Sequence, residues 1–422
     1  MRQIFKLFFS CFGIAVALSG CSDDKGTNIQ PKRFEPIPVS RSEEVIVDAD
    51  NYFAYKLFDA IDEHAGKHTN FVVSPLSVSI TLAMAANGAS GETLDEMLDV
   101  LGFENKDIVA LNTFYKKMLD RLPELDNTTT VSIANALWIN KKFSSTTSTL
   151  FSDNMRDYFN SPITFIDNIT SEATRQLINK WYSDNTHGIL SGPSVGNFEK
   201  QTAAVFTNAL YFKGWWTSTF DKSKTQQRDF TNYDGSKSKV MMMDTESYMM
   251  GYADDEYRAV TLPYGNSAYS MIIILPDDGV SLDSCMEDIN PDDISRLAKD
   301  CYMFDGSNIH LRLPKFEINY ESNMIPALQE LGLTKMFKEG EAEFSMMCGP
   351  DMFISRITQG VSIIVDEGGT KAISYTETKG DGLTAPGPLP AYSDFFVDRP
   401  FAFIIAEKST GLPLFMGRIN KF

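Results

Sequence analysis

Apolar positions along the chain follow two patterns, a helical spacing and short runs of strand length. Residues 48–64, DADNYFAYKLFDAIDEH, set Phe53, Leu57, Phe58 and Ile61 on one helical face behind an acidic first turn. That spacing predicts an amphipathic helix. Residues 70–103 begin strand-like with FVV, and Pro75 then opens a helix that is apolar on nearly every side. Such a helix belongs inside a large core. The polar interruptions there are Ser74, Ser77, Ser79 and Thr81, small hydroxyls that need buried partners. Strand patterns follow at 130–139, 202–212, 268–276 and 307–316, and residues 401–419 read as two strands joined at Ser409–Gly411. Helical patterns lie among them at 171–186 and 322–333. Strands and helices mix without regular alternation, which predicts an α+β fold rather than a doubly wound sheet. No repeat or composition break divides residues 47–422, so one large domain is expected.

The 422 residues are 43% hydrophobic and 12% aromatic, ample material for such a core. A formal charge of −18, with Lys and Arg scattered, argues against nucleic acid or an anionic membrane surface as a partner. The amino terminus differs from the rest. It has a basic start, Arg2 and Lys6, an apolar stretch from Phe8 to Leu18, and LSGC at 18–21. The apolar run is short for a membrane span. LSGC resembles the lipobox of bacterial lipoproteins, with residues 1–20 removed and Cys21 lipidated. An ordinary secretory signal with an incidental cysteine is the alternative. Ser22, by resemblance to Gram-negative lipoproteins, permits export to the outer membrane, on its cell-surface or periplasmic side. A lipid there tethers without spanning. Residues 21–46, polar and Pro-containing, are expected to be a flexible linker. With Cys21 acylated, Cys285, Cys301 and Cys348 remain, an odd number. A Cys285–Cys301 disulfide is compatible with the sequence without being implied by it.

Tests for catalytic chemistry return little. The four histidines, His64, His68, His187 and His310, form no HExxH, and there is no GxSxG elbow, GxGxxG or Walker A loop. Residues 366–370, DEGGT, lack the lysine and serine that a phosphate cradle needs. Asp254 and Asp255 sit in a charged segment and read as solvated surface. No metal, cofactor or active site of an enzyme is expected.

Several stretches, in order across the mature chain, resemble the serpin family. They are NFVVSPLSVSITLAMAANGASGET (70–93), INKWYSDNTHGIL (178–190), TNALYFKGWWTSTF (207–220), LRLPKFEINYESNM (311–324) and FFVDRPFAFIIAEKSTGLPLFMGRI (395–419). The resemblance implies three β-sheets, about eight or nine helices, and a reactive-centre loop at about 368–394. It implies a monomer that inhibits serine endopeptidases by forming a covalent acyl complex, with cysteine proteases left open as further targets. The hinge of that loop would be Glu367, Gly368, Gly369, Thr370, Ala372 and Ser374. Ser74, Ser77 and Asn208 resemble the polar cluster below the point where the central sheet opens. Gln359 stands where a histidine is common, and Trp216, Lys315 and Glu367 resemble the group where the loop enters. For Lys315 and Glu367 a weak exposed ion pair is the plain alternative. Counting from Gly369 puts the reactive bond at Leu383–Thr384, whereas counting back from DRPF gives Leu389–Pro390. Lys379–Gly380 would suit a trypsin-like target.

The residues themselves support such a loop. Side chains alternate between the faces of a strand. From Thr370, one face would carry Thr370, Ala372, Ser374, Thr376, Thr378 and Gly380, all small and uncharged. The other would carry Lys371, Ile373, Tyr375, Glu377, Lys379 and Asp381. One face suits burial within a sheet and the other suits water, and Gly368–Gly369 supply backbone freedom. Ile373 and Tyr375 depart from the alanines common in inhibitors but fall on the outer face. Two rivals remain at this level: the same fold used for binding or chaperoning, and a nutrient-binding surface lipoprotein, which would leave the alternation unexplained.

Overall fold

The computed structural model describes residues 31–66, 68–103, 107–168, 170–189, 202–300, 307–347, 352–370 and 393–422. The signal segment, Cys21, Cys301, Cys348, Ala372, Ser374, Lys379, Gly380, Leu383 and Thr384 lie outside the described residues. Helix α1 (Arg41–Ala65) leads through β1 (Phe71–Val73) into α2 (Pro75–Ala86), α3 (Gly91–Val100) and α4 (Ile108–Arg121). The long strand β2 (Thr129–Asn140), α5 (Thr149–Phe159), the short β3 (Ile163–Ile166), α6 (Glu172–Asn185) and β4 (Ala204–Trp215) come next. A strand-rich stretch follows with β5 (Gln226–Thr231), β6 (Lys237–Met249), β7 (Gly251–Ala253), β8 (Tyr257–Tyr264) and β9 (Tyr269–Pro276). Then come α7 (Leu282–Asp288), α8 (Pro291–Asp300), β10 (Ser307–Pro314), β11 (Phe316–Asn323) and α9 (Ile325–Glu330). The chain closes with β12 (Thr358–Asp366), β13 (Gly369–Thr370), β14 (Ser393–Phe396), β15 (Phe401–Glu407) and β16 (Pro413–Ile419).

Three sheets result, with nine α-helices among the described residues. The central sheet has the order β11-β12-β13-β4-β2-β3, the second β1-β16-β15-β9-β8-β7, and the third β14-β10-β6-β5. Every residue of α2 is buried, as its all-round apolar pattern requires. Its hydroxyls find partners: Ser79 donates to Asp50 of α1, Ser74 to Ser77 at 2.9 Å, and Thr81 to the Ser77 carbonyl at 2.9 Å. Helix α6 covers one face of the central sheet, setting Ile178 and Tyr182 against Ala136, Trp138 and Ala209.

Two expectations need correction. Helix α1 begins at Arg41, inside the span read as linker. Ser40 and Glu43 form a capping box that starts it. Ahead of it, Ile37 is buried and its N–H donates to Ser409 Oγ at 3.0 Å, while Lys32 N–H reaches Asn127 Oδ1 at 2.8 Å. The polar composition of this arm concealed its anchoring apolar residues. Residues 307–316 form not one strand but a corner. Pro314, with no N–H to extend a ladder, ends β10 in the third sheet, and β11 then starts in the central one. Cys285 is a buried, unpaired thiol, pushed up to about 12 by burial and then by the carboxylates of Asp254 and Glu256.

Candidate functional site

The hinge sits at one end of the central sheet as a strand of two residues. Gly369 and Thr370 pair antiparallel with Asp366 and Val365 of β12 on one side and with Trp215 and Gly214 of β4 on the other. Gly369 has φ +150°, and a Cβ there would fall 2.0 Å from the Gly214 carbonyl oxygen. Only glycine allows so close an approach. Thr370 is buried, and its hydroxyl shares a hydrogen bond of 2.6 Å with the Tyr264 phenol. Burial holds that phenol far above its ordinary range, so it stays neutral. Tyr264 in turn stacks on Trp216, with ring centroids 4.5 Å apart and planes 15° from parallel.

The turn after β4 grips the backbone leading into β13. Trp216 Nε1 donates to the Asp366 carbonyl at 2.9 Å, Phe220 N–H to Glu367 O at 2.9 Å, and Trp216 N–H to Gly368 O at 2.8 Å. Three successive carbonyls are thereby satisfied. Glu367 is no exposed surface charge: its side chain is 7% exposed and takes Lys315 Nζ at 2.8 Å and Thr225 Oγ1 at 2.9 Å. Burial alone would raise its carboxyl, but bonds from Lys315, its own backbone and Thr225 outweigh that and hold it below the usual value. Lys315 arrives there because of the Pro314 corner.

Ser74, Ser77 and Gln359 form a second group. Gln359 Oε1 accepts from Ser74 N–H and its Nε2 donates to the Ser74 carbonyl, both at 2.8 Å, so the side chain bolts β12 to the start of α2. Asn208 faces the same narrow crevice, but its amide donates across the sheet to Asn135 Oδ1 at 2.6 Å. Asn208 thus bonds within the sheet and not with Ser74, Ser77 or Gln359. Gln359 lies in β12 and Glu367 just past its end, eight residues on, about 26 Å of extended chain. Sequence reading missed Tyr264, Thr225 and Asn135. Each meets its partner across at least 73 residues of chain, a distance at which no local pattern announces a contact. What the site offers is a strand position, begun by two residues that pair on both sides.

A family model described as serpin, serine protease inhibitor, matches residues 48–422. The chain belongs to the serpin family. It is similar to Serpin-Z10 of Arabidopsis thaliana, 31% identical over 368 residues that cover 83% of this chain and 91% of that protein. Leukocyte elastase inhibitor A of Rattus norvegicus is 29% identical over 390 residues, covering 89% and 99%. Among solved structures, the thermophilic serpin tengpin in its native state matches with a TM-score of 0.79 at 26% identity, covering 93% of this chain and 98% of that one. The same protein in its latent state matches at 0.74, covering 91% and 99%.

Proposed function

We propose that the chain is a suicide-substrate inhibitor of serine endopeptidases that works by completing the strand β13 begins. The observation that carries this reading is the seat of Gly369 and Thr370 between β12 and β4. The alternation beyond it would lay Ala372, Ser374, Thr376 and Thr378 on the face that Thr370 already buries. A protease attacks a bond of the segment after Thr370 and becomes acylated. Cleavage frees the hinge side, which enters the sheet. About fourteen residues of new strand would carry the attached enzyme about 45 Å. Strained against the inhibitor's body, the enzyme loses its oxyanion geometry, where one donor alone is worth about 10² to 10³ in rate. Deacylation stalls and the inhibitor is consumed.

The bond favoured is Leu383–Thr384, suited to a chymotrypsin-, elastase- or subtilisin-like enzyme. The rat relative's name, leukocyte elastase inhibitor A, agrees with that class. Lys379–Gly380 is the choice for a trypsin-like enzyme. The protein would act as a monomer, tethered to the outer membrane through a lipidated Cys21. The test is to mix it with chymotrypsin, elastase, subtilisin and trypsin and run a denaturing gel. A boiling-resistant band at the summed mass supports the reading, and mass spectrometry of the released peptide locates the bond. Clean cleavage without an adduct refutes it and leaves a non-inhibitory member of the family.

A further inference from the structure

Just ahead of β2, beside the hinge, stands a buried carboxylate, Asp126. Its Oδ1 accepts from the N–H and the hydroxyl of Thr128, at 2.9 and 2.8 Å. Its Oδ2 accepts from Thr129 Oγ1 at 2.7 Å and from Asn266 N–H at 3.2 Å. Asn266 belongs to the turn between β8 and β9, and its side chain returns the contact. Nδ2 donates to the Leu125 carbonyl at 2.8 Å, while Oδ1 accepts from Ala268 N–H at 2.9 Å. Taking a carboxylate out of water is costly, and these four uncharged donors offset the cost. One of them is the turn itself, so the turn cannot move without loss. Its close approach needs a glycine: Gly265 has φ +46°, and a Cβ there would fall 1.9 Å from Asp126 Oδ2.

What this turn carries is Tyr264. Thr129 of β2, Gly214 of β4 and Thr370 of β13 stand in one row across the central sheet, so the two threonines share a face. The glycine between them leaves room for the Tyr264 ring, since a Cβ on Gly214 would meet Tyr264 Cδ1 at 2.7 Å. The ring thus lies against the row like a bar. Its phenol reaches Thr370 at 2.6 Å, and the backbone that follows it is tied to Asp126, which also holds Thr129. Gly265 N–H donates to the Trp215 carbonyl at 2.9 Å, which ties the end of β4 to the same turn.

We propose that Asp126 is a positioning residue of the hinge seat. It fastens the β8–β9 turn to the start of β2 and so holds the Tyr264 phenol where Thr370 can bond it. Hydrogen bonds between hydroxyls span about 2.5–3.0 Å, so a displacement of about 1 Å removes this one. Asp126 acts through Tyr264 and bonds no residue of β13 itself. That the seating of Thr370 decides between trapping and release rests on the inhibitor reading above; the positioning of Tyr264 does not.

Two variants loosen the clasp from opposite sides. Asp126→Asn is isosteric and leaves one acceptor oxygen for four donors. Asn266→Ala removes the returning bond to Leu125 at a half-buried position, and keeps the proposal testable if the first variant does not fold. The readout is solvent exchange of the indole N–H groups in the full chain carrying isotope-labelled tryptophan. Trp216 stacks on Tyr264 and donates to the Asp366 carbonyl, so its N–H reports where that ring lies. Trp138, buried and bonded to Thr207, is the control. Exchange at Trp216 should quicken about three- to tenfold in both variants, the scale of one hydrogen bond, with Trp138 unchanged. Unchanged Trp216 exchange in both, or equal quickening at Trp138, overturns the positioning role. In a second arm, the ratio of inhibitor cut to protease trapped is compared for the wild type, Asp126→Asn, Tyr264→Phe and the double variant. Each single variant should raise the ratio about three- to tenfold while the rate at which the protease attacks the chain stays as in the wild type. The double variant should match Tyr264→Phe. Effects that multiply in the double variant overturn action through Tyr264, and unchanged ratios in both single variants overturn the link to trapping. If the wild type traps no protease, the inhibitor reading fails and indole exchange alone decides the role of Asp126.

Discussion

Replacing Thr370 by glutamate puts a carboxylate where the structure seats a buried hydroxyl between β12 and β4, 2.6 Å from the Tyr264 phenol. The phenol can still donate to that carboxylate, so its own hydrogen bond is kept. A buried carboxylate held by one such bond still costs at least about 3 kcal/mol. That penalty against the seat, at about 1.4 kcal/mol per tenfold, lowers its population by more than about 10². In the proposed mechanism, insertion races hydrolysis of the acyl-enzyme, and a handicap of that size hands the race to hydrolysis. On the gel, Thr370→Glu should be cut and released with no adduct, whereas Thr370→Ser, which keeps the hydroxyl, should still trap. Gly369→Ala should behave like the glutamate variant, because its Cβ would meet the Gly214 carbonyl oxygen at 2.0 Å. Both variants should melt close to wild type, since the seat involves two residues at the end of a large sheet. Trapping by Thr370→Glu at wild-type stoichiometry would show that Thr370 need not be buried for inhibition, and would remove the main support for strand completion.

Three further outcomes concern stability. Burial first of all raises Asp50 from 3.8 to about 7, against the opposing bonds from Ser79 and Tyr115. A carboxyl raised in the folded state contributes stability that is full below about pH 4 and lost as pH rises through about 7. Asp50→Asn should therefore gain on the wild type from pH 4 to pH 8, by up to about 4 kcal/mol at 1.36 kcal/mol per unit, read from urea midpoints across pH. Ile37→Ala should lower stability by about 2 kcal/mol, the low end for such a truncation, because the arm before α1 lies at the rim of the core; an unchanged urea midpoint would mean the arm contributes nothing. Arg418, fully buried, bonds Asp62 and, at 2.7 Å, Asp283. Arg418→Ala should cost about 3–5 kcal/mol in the same assay, the scale of a buried charge left without its partner.

The parts of the fold legible in the sequence were those in which one local pattern decides the outcome. The apolar surround of α2 and the run MIIIL of β9 each have one solution, complete burial, and both are buried throughout. The two terminal strands and their joining turn follow from a break in apolar character at Ser409–Gly411. What failed depended on a partner distant in sequence or on a residue acting against its neighbours. SRSEE reads as polar linker until Ser40 and Glu43 are recognised as caps and Ile37 as an anchor. The resemblance identified which residue types gather near the opening of the sheet, but not their rotamers. It could not tell that Asn208 turns to Asn135, or that Glu367 would be buried with Lys315. The face alternation expected after Thr370 is a local property of extended chain; Thr370 is buried, and the later members lie outside the described residues.

The ladders indicate how the central sheet would admit more strand. β12 is paired to β11 over eight of its nine residues, from Thr358↔Asn323 to Val365↔Phe316. Among the described residues no ladder joins β12 directly to β4; the two are bridged by β13. A separation at that line leaves both flanking ladders intact, and β11 and β12 would move as one body. Its chief polar restraint at the far end is the pair of bonds between Gln359 and Ser74, each worth about 1 kcal/mol net. In the proposed mechanism a dozen or more entering residues would replace them with two new ladders, more hydrogen bonds than the restraint holds. Gln359, Ser74 and Ser77 carry no titratable group, so protons have no purchase on this restraint. Introducing Gln359→His would give them one, and the yield of trapped protease should then change between about pH 5.5 and about pH 8.5 in that variant and not in the wild type.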